Sequence, residues 1–219
     1  MKIAVIGASG RLGGAVAEEA LRRGHQVTAL SRNAGSYNSV PRETLAGAER
    51  ASVDITDHDG LAAAIAGHDA VVASVTDRTT EDRSIIPASA RALLEALPRA
   101  GVARLAFVGG GGSLHAAPGE RYVDAPSFPA EYRPEALAQA EALRILREDG
   151  AAVDWTYLSP PPHNLVPGER TGAYRVHAGD SPVFDDDGHF GITFGDLASA
   201  LVDELESPQF SRQRFTAGS

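Results

Sequence analysis

The spacing of apolar residues changes regularly along the chain. Residues 2–6, Lys-Ile-Ala-Val-Ile, form a short β-branched run stopped by a glycine, as in a strand buried on both faces. Over 11–23 the period becomes helical: Leu12, Val16, Ala20 and Leu21 share one side, with Glu18, Glu19, Arg22 and Arg23 outside and Gly24 at the end. The alternation continues. Strands are predicted at 26–30, 51–53, 70–75, 103–108 and 153–158, and helices at 57–66, at 83–97 ahead of Pro98, and at 134–148. Strands alternating with helices at this spacing predict an α/β fold with a doubly wound, mostly parallel sheet covered on both faces. Past 159 the pattern loosens into a small irregular C-terminal region. Short strands are expected there at 171–177 and 183–193, the latter turning at Asp187-Gly188, then a helix at 194–205 and a strand at 214–216. No linker or repeat interrupts the chain, so 1–219 reads as one domain. The segments 114–133 and 159–195 are its substrate-side loops.

The strongest local signal is Gly7-Ala8-Ser9-Gly10-Arg11-Leu12-Gly13, which follows a strand and opens a helix. Gly7 permits the tight turn, Gly10 the approach of a pyrophosphate, and Gly13 close packing of helix on sheet. Backbone N–H groups and the positive helix end then bind the anion. With this motif the sheet reads as Rossmann-type and the chain as a dinucleotide binder over 1–219. The second strand ends in Ser31-Arg32-Asn33, where NAD binders usually carry an acid for the ribose 2′-hydroxyl. Arg32 suits the 2′-phosphate of NADP(H) instead, and Arg11 can reach the same group. NAD(H) stays open as a weaker choice. Asp54 and Ile55 follow the third strand, where a side chain often meets the adenine; a helix-capping role for Asp54 is the alternative. Ser74 and Thr76 beyond the fourth strand, and Ser159 and Pro160 beyond the sixth, complete the cofactor candidates.

Composition narrows the partners. A net charge of −9 with no basic stripe argues against nucleic acid and anionic membranes. The longest apolar runs are strand-sized, so no membrane-spanning helix is expected. The chain has 0 cysteines, which excludes disulfides, thiolate metal sites and a cysteine nucleophile. The opening residues read as a strand rather than a signal peptide, and the expected location is the cytoplasm. Asp185-Asp186-Asp187-Gly188 lacks the spacing of a calcium loop and reads as an acidic hairpin turn, so no metal is assigned. Only Lys2 is a lysine, so any mechanism needing an ammonium elsewhere fails.

The chain resembles the atypical short-chain dehydrogenase/reductases. It is more closely similar to the NAD(P)H-binding family described as NADH-flavin reductases, related to NmrA-like proteins. The residues that carry this are 7–13, 31–33, 54–56, 107–113, 131–143, 154–160, 167–172 and 196–205, nearly the whole chain. The resemblance implies the fold and the cofactor more strongly than a substrate. In typical short-chain dehydrogenases a serine acts with Tyr-x-x-x-Lys. Ser113 and Tyr132 stand where that serine and tyrosine belong and are the catalytic candidates, but Ala136 replaces the lysine. A phenol without that ammonium ionises near ~10 and is a poor base at pH 7.

Hydride transfer to a flavin or quinone-like small molecule needs no such relay, because the cofactor carries the chemistry and water can supply the proton. The protein must hold two flat rings together and exclude solvent. Tyr122, Phe128 and Tyr132 on the 114–133 segment are placed to cover such a site. His115 and His163 are either proton donors or solvated loop residues. The alternatives are a non-catalytic NAD(P)H redox sensor and, less favoured, an epimerase or dehydratase. Monomer and homodimer are both open.

Overall fold

The apolar runs all enter one sheet. The computed structural model describes residues 1–33, 42–76 and 82–219. The chain begins with β1 (Lys2–Ile6), α1 (Arg11–Arg22), β2 (Gln26–Ser31), β3 (Glu49–Ser52), α2 (His58–Ile65), β4 (Ala70–Ala73), α3 (Ile85–Ala100) and β5 (Arg104–Val108). A small hairpin follows, β6 (His115–Ala117) and β7 (Glu120–Arg121), then α4 (Arg133–Asp149) and β8 (Asp154–Ser159). The C-terminal part holds β9 (Leu165–Val166), β10 (Arg175–Ala178), β11 (Ile192–Thr193), α5 (Phe194–Glu206) and β12 (Gln213–Gly218).

Eight strands form the main sheet in the order β10-β12-β8-β5-β4-β1-β2-β3, with β10 alone antiparallel. Strand order therefore reverses between β1 and β4. In a doubly wound Rossmann-type sheet that reversal opens a crevice at the carboxyl ends of the strands. One face of the sheet packs Ile6, Val71, Phe107 and Trp155 under α2, α3 and α4. The other packs Val5, Val72, Val108 and Phe215 under α1 and α5.

Three departures from the sequence pattern have physical causes. α3 runs through Pro98 to Ala100 instead of ending before it. The proline lies in the last turn, where it removes one helical bond. Gly101, at φ +70°, caps the end while the Val102 N–H reaches the Leu97 carbonyl at 3.0 Å. The segment 183–193 forms a strand only at Ile192–Thr193. Its acidic part is a turn in which Asp185 accepts the N–H groups of Asp187 and His189 at 3.0 and 2.7 Å. The cover segment after β5 is a hairpin followed by short turns rather than open loop.

Helix α1 is tied to α5 by a buried carboxylate. Glu19 accepts from Arg22 Nε at 2.8 Å and from Arg23 Nε at 2.7 Å. Arg23 continues to Asp203 at 2.6 Å, Glu206 at 2.7 Å and Ser199 Oγ at 2.7 Å on α5. Burial alone would raise the Glu19 carboxyl, but the bonds and charges of Arg22 and Arg23 outweigh it and hold the group at about 2. A folded-state value below the unfolded one means that the unfolded chain binds the extra proton as pH falls. The stabilisation is full above the ordinary carboxylate range and is lost between about pH 5 and 2. With Arg22 half exposed and screened, it amounts to roughly 2–3 kcal/mol. Urea melts across that window should show Glu19→Gln losing less stability on acidification than the parent by about this amount. Parallel pH profiles would contradict the assignment.

Candidate active site

The turn from β1 into α1 is forced to be glycine by its neighbours. Gly7 sits at φ +83°, and a Cβ there would stand 2.0 Å from the Ser74 carbonyl oxygen. A Cβ on Gly13 would stand 2.3 Å from the Gly7 carbonyl oxygen. Gly10 is the N-cap of α1 and has no side chain to offer the helix. Among the described residues the N–H groups of Arg11, Leu12 and Gly13 have no acceptor. Three aligned donors at the positive end of a twelve-residue helix suit a diphosphate. Ser9 lies in the same turn, half-buried, and Leu12 packs partly into the α1/α5 core. Arg11 is exposed, with its guanidinium 5.6 Å from the centre of the Phe194 ring.

The neighbouring strand ends bring Arg32 and Asp54 together at the crevice rim. Both are exposed, and the Arg32 charge is one of the causes that lower the Asp54 carboxyl. The larger causes are the N–H and hydroxyl of Thr56, which donate to Asp54 at 2.9 and 2.7 Å. The cap of α2 is Asp57, which accepts from Gly60 N–H, so Asp54 is not the helix cap. The Ile55 side chain is buried in the core beneath α2 and α3, leaving only its backbone to face a ligand. Ser74 is half-buried at the end of β4 and Thr76 is exposed beyond it.

The glycines after β5 are packed from the protein side. A Cβ on Gly109 would meet the Tyr157 ring at 1.9 Å. One on Gly111 would meet the Pro160 carbonyl oxygen at 2.5 Å, and one on Gly112 the Ala136 Cβ at 2.6 Å. Close seating of β5, β8 and α4 thus accounts for this run without a bound ring. Tyr157 is fully buried, stacks on Phe107, and donates its hydroxyl to the Gln139 carbonyl at 2.8 Å. Burial pushes its phenol up to about 12.

Ser113 and Tyr132 stand apart in this arrangement. Ser113 is 6% exposed, and its hydroxyl accepts from Arg214 Nη2 at 2.6 Å. Ser159 is buried too, accepting from Arg214 Nε at 2.8 Å and donating to the Gly110 carbonyl at 3.1 Å. Both hydroxyls therefore bond a buried arginine on the α4 side of the sheet. Pro160 is buried against Gly111. Tyr132 is 57% exposed and ends a short 3₁₀ turn before α4, and its phenol makes no hydrogen bond among the described residues. Position 136, where the lysine would stand, holds alanine. Ala136 packs toward Gly112, and Arg133 donates to the carbonyls of Val123 and Ala125.

The loops after β5 and β8 meet through aromatic rings that composition alone does not reveal. His163 lies 4.6 Å from Phe190, and Tyr122 lies 5.9 Å from Phe190, all edge to face. Phe184 extends the group to a half-exposed ring 5.6 Å from Phe190. Tyr122 is anchored beside the glycine run, its N–H donating to Leu114 and the next N–H to Gly112.

The family model for NAD(P)H-binding proteins matches residues 7–208. The chain belongs to this NAD(P)H-binding family. YwnB, an uncharacterized protein of Bacillus subtilis (strain 168), is 38% identical over 218 residues, spanning 99% of this chain and 97% of that protein. A crystal structure from Burkholderia pseudomallei, named a "putative exported protein", shares 40% identity with full coverage of both chains and a TM-score of 0.86. SP1627 from Streptococcus pneumoniae TIGR4, named a "putative NADH-flavin reductase", shares 32% identity over 100% of this chain and 99% of that one, with a TM-score of 0.84. NAD(P)H-binding membership fits the open donors of the 7–13 turn.

Arg214, Asp180 and Phe190 were not singled out from the sequence. Arg214 did leave a signal, as a charged residue beside Phe215 within a predicted strand. Because Ser113 receives one of Arg214's bonds, Ser113→Ala should lower stability by ~1–3 kcal/mol and leave NADPH affinity unchanged. Thermal melting and cofactor titration on one preparation test this. Weakened NADPH binding at an unaltered melting temperature would place Ser113 at the cofactor instead.

Proposed function

We propose that this protein is an NADPH-dependent reductase whose acceptor is a flat ring of the flavin or quinone class. Its reaction runs without a tyrosine–lysine relay. Bound NADPH supplies the hydride. The observation that carries the reading is the ring cluster of Tyr122, His163 and Phe190, where the loops leaving β5 and β8 converge beside the glycine run. Aromatic rings offer a planar ligand a stacking surface while keeping water out. The similarity to the streptococcal protein supports the same acceptor class. The exposed Tyr132 phenol has no cationic neighbour at position 136, and Lys2 begins β1 at the opposite end of the sheet from the crevice. This weighs against alcohol or ketone chemistry and against an epimerase.

In this reading the N–H groups of Arg11, Leu12 and Gly13 hold the diphosphate. Arg32 and Arg11 select the 2′-phosphate, Asp54 lies at the adenine end, and Ser74 and Thr76 line the way to the nicotinamide. Tyr122 and Phe190 hold the acceptor, whose proton comes from solvent. The protein acts as a soluble cytoplasmic enzyme.

The deciding experiment is loss of NADPH absorbance with a panel of flavins and quinones. Turnover is expected, and Phe190→Ala should raise the acceptor KM by roughly 5-fold or more, the equivalent of one lost aromatic contact of ~1 kcal/mol. NADPH affinity should not change. Absence of turnover with every acceptor, at full NADPH binding, would replace the reductase with a redox sensor. Tyr132→Phe should retain most of the activity, whereas a drop on the order of 10²-fold would identify the phenol as a proton donor.

Cofactor choice gives a separate test. Charge-assisted bonds from Arg32 to the 2′-phosphate contribute roughly 1.5–3 kcal/mol, or ~10–150-fold in favour of NADPH over NADH. Arg32→Glu should erase or invert that ratio in fluorescence titrations. Equal affinities in the unmodified protein would remove Arg32 from this role.

A further inference from the structure

Between α4 and β12 lies a cavity of about 210 Å³. It is on the α4 face of the sheet, whereas the helix of the 7–13 turn covers the other face. Arg121, Arg144, Arg147 and Arg214 line it, with Asp180 and Glu148 as the wall's carboxylates. In a chain of net charge −9 this is a local excess of cations.

The pairing inside the cavity is uneven. Arg144 is matched by Glu141 and Glu148, and Arg121 by Asp124 at 2.7 Å. Arg147 and Arg214, in contrast, share a single oxygen, Asp180 Oδ1, each at 2.8 Å. Two guanidinium charges meet one carboxylate there, and the Arg214 side chain is only 2% exposed. Burial lowers the proton affinity of Arg214, and the charge of Arg147 adds to the penalty. The donors are also incompletely used. Arg147 spends only Nη2, so its Nε and Nη1 have no partner among the described residues. The imidazole of His115 and the hydroxyl proton of Ser113, both on the cavity wall, likewise have no acceptor among them.

We propose that this cavity binds a small oxyanion of the phosphate class, held by Arg147, His115 and the hydroxyl of the buried Ser113, with Arg214 supplying the charge behind them. Forked guanidinium donors match the paired oxygens of such an ion. The ion provides the second negative charge that Asp180 alone does not. Because Arg214 also bonds Ser159, and Ser159 bonds the Gly110 carbonyl, the ion joins the network that fixes both loops over the crevice.

The test uses the full chain saturated with NADP⁺, so that the diphosphate turn is already filled, and reads binding rather than turnover. Calorimetric titration with inorganic phosphate, against chloride at matched ionic strength, is expected to show one site and a raised melting temperature. Arg147→Gln, at a half-exposed position, should weaken phosphate by ~10-fold or more and leave NADP⁺ binding and the melting temperature without phosphate intact. Arg99→Gln, on the far helix α3, should change neither. The ring protons of His115 should shift in NMR as phosphate is added. A parallel titration with glycerol 3-phosphate separates the sources: tighter binding identifies a phosphate monoester, weaker binding the free ion. Absence of phosphate binding, affinity unaltered in Arg147→Gln, or His115 resonances that stay put at saturating phosphate would each overturn the proposal.

Discussion

A buried guanidinium holds together the segments that follow β5, β8 and β10. Arg214, on β12, donates to Ser159 at the end of β8, to the carbonyl and hydroxyl of Ser113 beyond the glycine run, and to Asp180 before the last helix. Moving a guanidinium out of water costs several kcal/mol unless its donors are filled. Here most of them are, and the four bonds reach three separate segments of the chain. The strand order brings those loops side by side, since β12 pairs with β8 and β8 with β5. The geometry of the crevice rim beyond β5 and β8 is thus set from behind, by a charge that need not touch any ligand.

The same logic operates on the other face through Glu19. There a buried carboxylate is shared by two arginines, and one of them reaches three side chains of α5. The orientation of α1, and with it the open N–H groups at its start, rests on that link as well as on the apolar core. At the lower end of the sheet Arg104 and Glu204, both buried, meet at 2.6 Å. In each case arginine supplies several donors in one plane, which lysine does not.

Legibility from sequence followed the range of the interactions. Most strands and helices of the main sheet, the doubly wound order and the glycine turn were readable, because each depends chiefly on local spacing. Side-chain direction after the strands was not. Ser113 follows β5 as a catalytic serine would, yet the glycines pack so closely on Tyr157 and Pro160 that the chain has already turned toward Arg214, about a hundred residues later in sequence. The glycine run itself invited a ligand explanation, whereas its necessity comes from Tyr157 and Ala136, which sequence proximity does not connect to it. The ring cluster joins Tyr122, His163 and Phe190 from separate loops, and only the folded sheet makes them neighbours.

The distribution of amino groups has a chemical consequence. Lys2 carries the only side-chain amine and stands exposed at the first residue of β1, whose far end opens into the 7–13 turn. Acylating reagents, reducing sugars and activated esters therefore find no side-chain target at the crevice. A surface or dye coupled through Lys2 sits at the foot of the sheet, so immobilised protein presents its nucleotide turn to the solution in a single orientation.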